Sequence, residues 1–323
     1  MQEILEKMKS DFTSATKEVG KVIVGQEDVI KLINTSILAC GHSLITGAPG
    51  LAKTLAVKAI ANVLGMESSR IQFTPDLLPG DIVGVEILDI DPDTGKKDFR
   101  YIKGPVFTNV LLADEINRAT PRTQSALLEA MQEKSVTLGG EVYELDRPFI
   151  VFATRNPIDY EGVYPLPEAQ LDRFIMEIVV TYPDFDEEIL ISSKDYSSML
   201  PEVKEVISKE DLVKYQALVD EVPVPESVMS RALSWVRKTR PDDETSSEEV
   251  REFLEWGAGP RAAYHLIHAG RSYSLLYGDG VVTERDILAV FPSVMRHRII
   301  PSAIFSRSGK DLDELISKIT TSQ

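Results

Sequence analysis

Apolar residues Ile4, Leu5, Met8, Phe12, Ala15 and Val19 recur at the spacing of one helical face, so residues 1–19 are predicted as an amphipathic helix. A second stripe, Val29, Ile30, Ile33 and Ile37, predicts another helix after the turn at Val24-Gly25-Gln26. The pattern then changes. Residues 43–46, 71–73, 109–113, 149–154 and 175–180 are short, nearly continuous apolar runs, as expected of strands buried on both faces. Helical spacing returns between them at 55–64 and 120–133, and this alternation predicts an α/β core.

Two further segments read as β-hairpins inserted into that core. Residues 85–90 and 98–102 flank Asp91-Pro92-Asp93-Thr94-Gly95, and 135–138 and 141–143 flank Gly139-Gly140. Strand signals stop near Pro183. Helices broken at Pro201, Pro223, Pro225, Pro241 and Gly257 to Pro260 follow, so we expect a core domain at 1–187 and a smaller all-helical domain at 188–323. Within the latter, Thr245 with Glu248 or Ser246 with Glu249 would form a capping box, Asp242-Asp243-Glu244 would be a solvated loop, and Trp235 and Trp256 would be core. His265 and His268 are expected to pack rather than bind metal.

The chemistry sits at the ends of the predicted strands. Gly47-Ala48-Pro49-Gly50-Leu51-Ala52-Lys53-Thr54, between a strand and a helix, resembles a P-loop. Such a loop curls main-chain N–H groups around phosphates at a helix N-terminus. Lys53 would reach the β- and γ-phosphates and the Thr54 hydroxyl would hold Mg²⁺. Ala52 stands where a glycine is usual, which the loop tolerates provided that position needs no positive φ. A buried strand at 109–113 ends in Asp114-Glu115, and burying two carboxylates is costly unless something pairs with them. A bound metal–triphosphate would supply that partner, with Asp114 at the Mg²⁺ and Glu115 orienting the attacking water. Asn156 ends a further strand, where open parallel sheets bind ligands. Arg173 follows a short helix, and Arg261 falls in the first turn of a helix opened by Pro260.

Composition narrows the setting. The 323 residues carry 51 acidic and 35 basic side chains, a formal charge of −16, which disfavours nucleic acid as main partner. One cysteine, Cys40, makes no internal disulfide and fits a reducing cytoplasm, and it is expected as a small buried hydrophobe. No signal peptide and no membrane span are expected.

Taken in order, Val24-Gly25-Gln26, the P-loop, Leu112 to Ala119, Ala153 to Pro157, Leu166 to Phe174 and Gly259-Pro260-Arg261 resemble the MoxR-type AAA+ ATPases over about residues 20–300. The resemblance implies a P-loop NTPase core with a five-stranded parallel sheet flanked by helices, followed by a helical lid. It implies ATP/ADP bound with Mg²⁺ by Val24, Gly25, Gln26, Gly47 to Leu55 and Arg261. Lys53 and Thr54 become Walker A, Asp114 and Glu115 Walker B, and Asn156 sensor 1. Arg173 becomes an arginine finger for a neighbouring subunit, and Arg261 becomes sensor 2, reaching the γ-phosphate from the lid. A ring, most simply a hexamer, is implied, with hairpins facing its centre or a partner. A von Willebrand factor A-domain protein is the implied partner, and chaperone-like remodelling or metal-cofactor insertion the implied task. Alternatives are a metal-chelatase motor subunit and a nucleotide-gated scaffold without turnover, the latter disfavoured by Glu115.

Overall fold

The computed structural model describes residues 2–90, 97–156 and 162–321. Five strands, β1 (Ser43–Thr46), β2 (Ser68–Gln72), β3 (Val110–Asp114), β4 (Ile150–Arg155) and β5 (Met176–Val179), form one parallel sheet in the order β2-β3-β4-β1-β5. Side chains alternate across it: Val110, Leu112, Ile150 and Phe152 enter one core, Leu111, Ala113, Val151 and Ala153 the other. Burial on both faces is why these strands read as unbroken apolar runs.

Helices α1 (Gln2–Val19), α2 (Glu27–Leu38) and α3 (Lys53–Val63) belong to the first core. Helix α4 (Pro121–Glu133) buries Leu127, Leu128, Ala130 and Met131 in the second. The two hairpins are present, as Gly84–Ile90 with Lys97–Lys103 and Ser135–Leu138 with Glu141–Glu144. Tyr101 of the first and Tyr143 of the second bring their rings to 4.6 Å. The expected turn at 91–95 and Pro157 lie outside the described residues.

Helices α5 (Glu226–Lys238), α6 (Pro260–Tyr277), α7 (Glu284–Met295) and α8 (Leu312–Thr321) are the longest of the second part. Helix α6 packs on α1 and α2, so one apolar core runs from the N-terminal helices into this part. The expected boundary at 187/188 falls inside the helix Phe185–Ser193. Among the described residues no helix is long and apolar enough to cross a membrane.

Five local expectations are corrected. The second part is not wholly helical, because Leu254–Trp256 pairs antiparallel with Ile300–Pro301. A bulge between Leu254 and Trp256 breaks the side-chain alternation, so Leu254 is buried while Trp256 is 66% exposed. Trp235 is core as expected. The cap after the acidic run is Ser247, which accepts from the Val250 N–H. The Ser246 hydroxyl instead donates to the Lys238 and Arg240 carbonyls, and the Thr245 hydroxyl donates to Asp243. Asp243 is also paired with Arg237 at 2.8 Å, so that run is not simply solvated. Cys40 is exposed, in a left-handed conformation beyond the end of α2.

Candidate nucleotide site

The loop between β1 and α3 bends where its sequence permits. Gly50 has φ +86°, and a Cβ on Gly47 would meet the Val180 carbonyl at 2.7 Å. Ala52 departs from expectation: it does adopt a positive φ, 55°, in the left-handed region. That conformation costs an L-residue about 1 kcal/mol or more, and here it stands at the N-cap of α3, so the helix begins directly from the loop.

Two cavities flank this loop and share Pro49 to Ala52 and Leu55. One, of 430 Å³, gathers Lys53, Thr54, Asp114, Glu115 and Asn156 around a single space. The other, of 540 Å³, has apolar and aromatic walls at Val22, Val24, Tyr182, Ile191 and Tyr196, suited to a flat base, with Gln26, Glu188, Lys194 and Asp195 as polar neighbours. Gly25 takes φ +65° between Val24 and Gln26 and lines an adjoining groove instead. Gly47 and Ala48 contribute carbonyls: the Lys53 ammonium donates to both, at 3.1 Å for Ala48. Burial pulls the Lys53 pKa below its ordinary value, against the pull of Asp114 and Glu115.

The carboxylates are heavily engaged. Asp114 Oδ1 accepts from Thr154 Oγ1 at 2.5 Å, while Oδ2 accepts from Arg70 at 2.7 Å and stands 3.5 Å from Thr54 Oγ1. Glu115 takes φ 56°, ψ 49°, a strained conformation for a non-glycine residue, and its N–H donates to Thr154 Oγ1. Glu115 Oε2 accepts from Gln72 at 2.8 Å and Arg118 at 2.9 Å. A hydroxyl beside a carboxylate is the donor set of a hard cation that completes its shell with phosphate and water, so Thr54 and Asp114 fit Mg²⁺. Among the described residues no cluster of three or more His, Cys, Asp or Glu could hold a metal.

Arg70, Gln72, Arg118 and Thr154 escaped the sequence reading. Arg70 and Gln72 share one face of β2, and Gln72 lies beside Asp114 in the register of β2 and β3. The signal exists, but only once those strands are paired. At the same C-terminal edge of the sheet, Arg155 pairs at 2.5 Å with the buried Glu177 and donates to Thr46 Oγ1, tying β4, β1 and β5 together.

Two expected site residues lie outside this cavity, one of them, Arg173, expected to serve a neighbouring subunit. Neither Arg173 nor Arg261 lines the cavity that holds Lys53. Arg173 donates to the Leu128 carbonyl of α4 at 2.7 Å. Arg261 stands 3.6 Å from Asp172, the residue next to Arg173. His265, His268 and His297 are packed histidines kept neutral, their pKa values lowered chiefly by burial, His265 to about 3. Beside them the Arg298 guanidinium is lowered by burial to about 10, so it stays cationic at neutral pH.

Comparison with known proteins places this geometry. The description "ATPase family associated with various cellular activities (AAA)" matches residues 42–176, and "AAA lid domain" matches 246–319. The Chaperone MoxR1 of Mycobacterium tuberculosis is 43% identical over 283 residues, 88% of this chain and 74% of that protein. The chain belongs to the MoxR-type AAA+ ATPase family. YeaC of Bacillus subtilis, an uncharacterized protein, shares 40% identity over 90% of this chain and 88% of its own. A Cytophaga hutchinsonii crystal structure superposes with a TM-score of 0.88 at 37% identity, covering 99% of this chain and 96% of that one. The MoxR-type chain thus has the family's α/β core and lid, and family membership supports nucleotide binding and ATPase activity.

Proposed function

We propose that this MoxR-type protein hydrolyses ATP to ADP and phosphate in a ring, most simply a hexamer, and remodels or assembles partner proteins in the cytoplasm. The observation that carries the reading is the single cavity shared by Lys53, Thr54, Asp114, Glu115 and Asn156, from which Arg173 is absent. Phosphoryl transfer leaves a protein little covalent work, so charge and positioning supply most of the rate.

In this mechanism the base lies between Val24, Gln26 and Tyr196, and the phosphates lie on the N–H groups that open α3. Lys53 turns from the loop carbonyls to the γ-phosphate. Thr54 and Asp114 would hold Mg²⁺, which when bound neutralises charge on the phosphates. Glu115, released from Gln72 and Arg118, holds the attacking water and takes up its proton while Asn156 orients it. Arg173 completes the site of the next subunit, and its absence from its own cavity supports that assignment. Arg261, 3.6 Å from Asp172, is read as acting beside Arg173 rather than on its own subunit's phosphates.

The partner side of the reading rests on the two hairpins, which expose Leu88 and Val142 to solvent, and on the chaperone name of the Mycobacterium tuberculosis relative. A von Willebrand factor A-domain protein is the partner we would seek first.

Steady-state ATPase of Glu115→Gln tests the chemistry. Turnover should fall by a factor of about 100 or more with nucleotide affinity retained, and retained turnover would remove Glu115 from its role. Light scattering with ATP should show a large assembly. A monomer at every concentration would rule out the shared site.

A further inference from the structure

The turn Arg296–Arg298, which the sequence left without a role, grips the main chain on both sides of Arg173. Arg298 is the centre of it, with a side chain only 2% exposed. Its Nε donates to Asp172 Oδ1 at 2.7 Å, and its Nη atoms donate to the carbonyls of Phe174 at 2.6 Å and Ile175 at 3.2 Å. It donates as well to the Val294 carbonyl and to His265 Nδ1, which fixes that ring as the neutral Nε2–H tautomer. His297 Nε2 lies 3.1 Å from the Phe174 carbonyl, and Arg296 donates to the Glu177 carbonyl at 2.7 Å while chelating Asp313. All three residues of one lid turn therefore hold carbonyls of residues 174–177. Asp172 lends its second oxygen to Arg261.

A buried guanidinium is a poor device for stability, since apolar packing commonly does as well. Its planar fork does something apolar packing cannot: it fixes several acceptors in one geometry. The acceptors here are the neighbours of a residue whose reach matters to about an ångström. We propose that Arg298, acting through Asp172 and the Phe174 carbonyl, is a positioning residue that presets Arg173 for the neighbouring subunit's phosphates and ties its placement to the lid. This rests on the reading of Arg173 as a residue acting in trans.

The test compares Asp172→Asn, Arg298→Lys, Arg173→Ala and the double variant Asp172→Asn/Arg173→Ala in the full chain. Asp172 is partly exposed, so its variant keeps the fold even if Arg298→Lys does not, as melting temperature would report. We expect kcat of Asp172→Asn to fall between about tenfold and about a hundredfold, with KM for ATP within about twofold. The double variant should be no slower than Arg173→Ala alone, because both changes remove one function. Undiminished kcat in Asp172→Asn, or a further loss in the double variant, would overturn the proposal. Wild-type turnover in Arg173→Ala would instead overturn the trans reading and this proposal with it, an outcome visible before the other variants are compared.

Discussion

The two sides of the chemistry are built in different ways. The phosphate side is made within residues 49–156, from a loop, the helix it opens and the tips of neighbouring parallel strands. The Arg173 side is made from pieces far apart in the chain, where Asp172 meets Arg261 and Arg298. The first is dictated by local backbone conformation, the second by how the lid packs on the outer strand. Motifs therefore announce the first, and of the second they announce Arg173 and Arg261 but not the Arg298 contacts that surround them.

The sharpest way to break this contrast is Arg173→Ala. Turnover should fall about a thousandfold, near 4 kcal/mol, while nucleotide affinity stays close to wild type. Mixing these subunits with Lys53→Ala subunits, each inactive alone, should restore partial turnover. No recovery at any ratio would place both residues in one subunit's site.

Acid should separate the two sides next. His42, His265 and His297 have native pKa values below the ordinary 6.5, His42 at about 4 and His265 at about 3, so the folded chain keeps them neutral. Their contribution is intact above pH 6.5 and is lost as the unfolded state takes up protons below it, down to the native values. For the three together the loss from pH 7.5 to pH 6 is about 2 kcal/mol. Two of them lie against Arg298 and none lines the phosphate cavity. Hydrogen exchange should thus show amides at 294–298 losing protection on acidification before those at 53–57. The reverse order would mean the lid contact is the firmer.

A smaller effect is expected within the phosphate side. Arg70 competes for the Asp114 oxygen that faces Thr54. Arg70→Gln should lower by a few-fold the Mg²⁺ concentration at which a fluorescent ATP analogue half-saturates the protein. A higher requirement would mean that Arg70 chiefly orients Asp114. The smallest change is Ala52→Gly. Relief of the left-handed strain is offset by the greater freedom of the unfolded chain, so a gain of about 0.5 kcal/mol is expected from denaturant melts.

These contrasts also explain what the sequence disclosed. The five strands were legible because both faces of the sheet are buried, and the P-loop because its glycines and Lys53 serve their own segment. Asp114 and Glu115 stood out as charges at the end of an apolar strand. Arg70 and Gln72 did not, since polar residues on an edge strand look like ordinary surface until β2 is laid beside β3. Trp256 was misread because a bulge reversed its face. Arg298 and His297 gave no signal at all: their meaning lies in carbonyls more than a hundred residues earlier. Ala52 shows a different limit, a residue tolerated in a conformation its chemistry disfavours.

The outer edge of β5 carries one more consequence. Its carbonyl at Glu177 and those just before it, at Phe174 and Ile175, are taken up by side chains from residues 296–298 rather than by a sixth strand. A fragment cut before that turn would bare a sticky margin able to recruit another copy's backbone. Anyone trimming this protein to a minimal nucleotide-binding unit should therefore expect precipitation, and should retain the chain at least through Asp313, the residue that steadies Arg296.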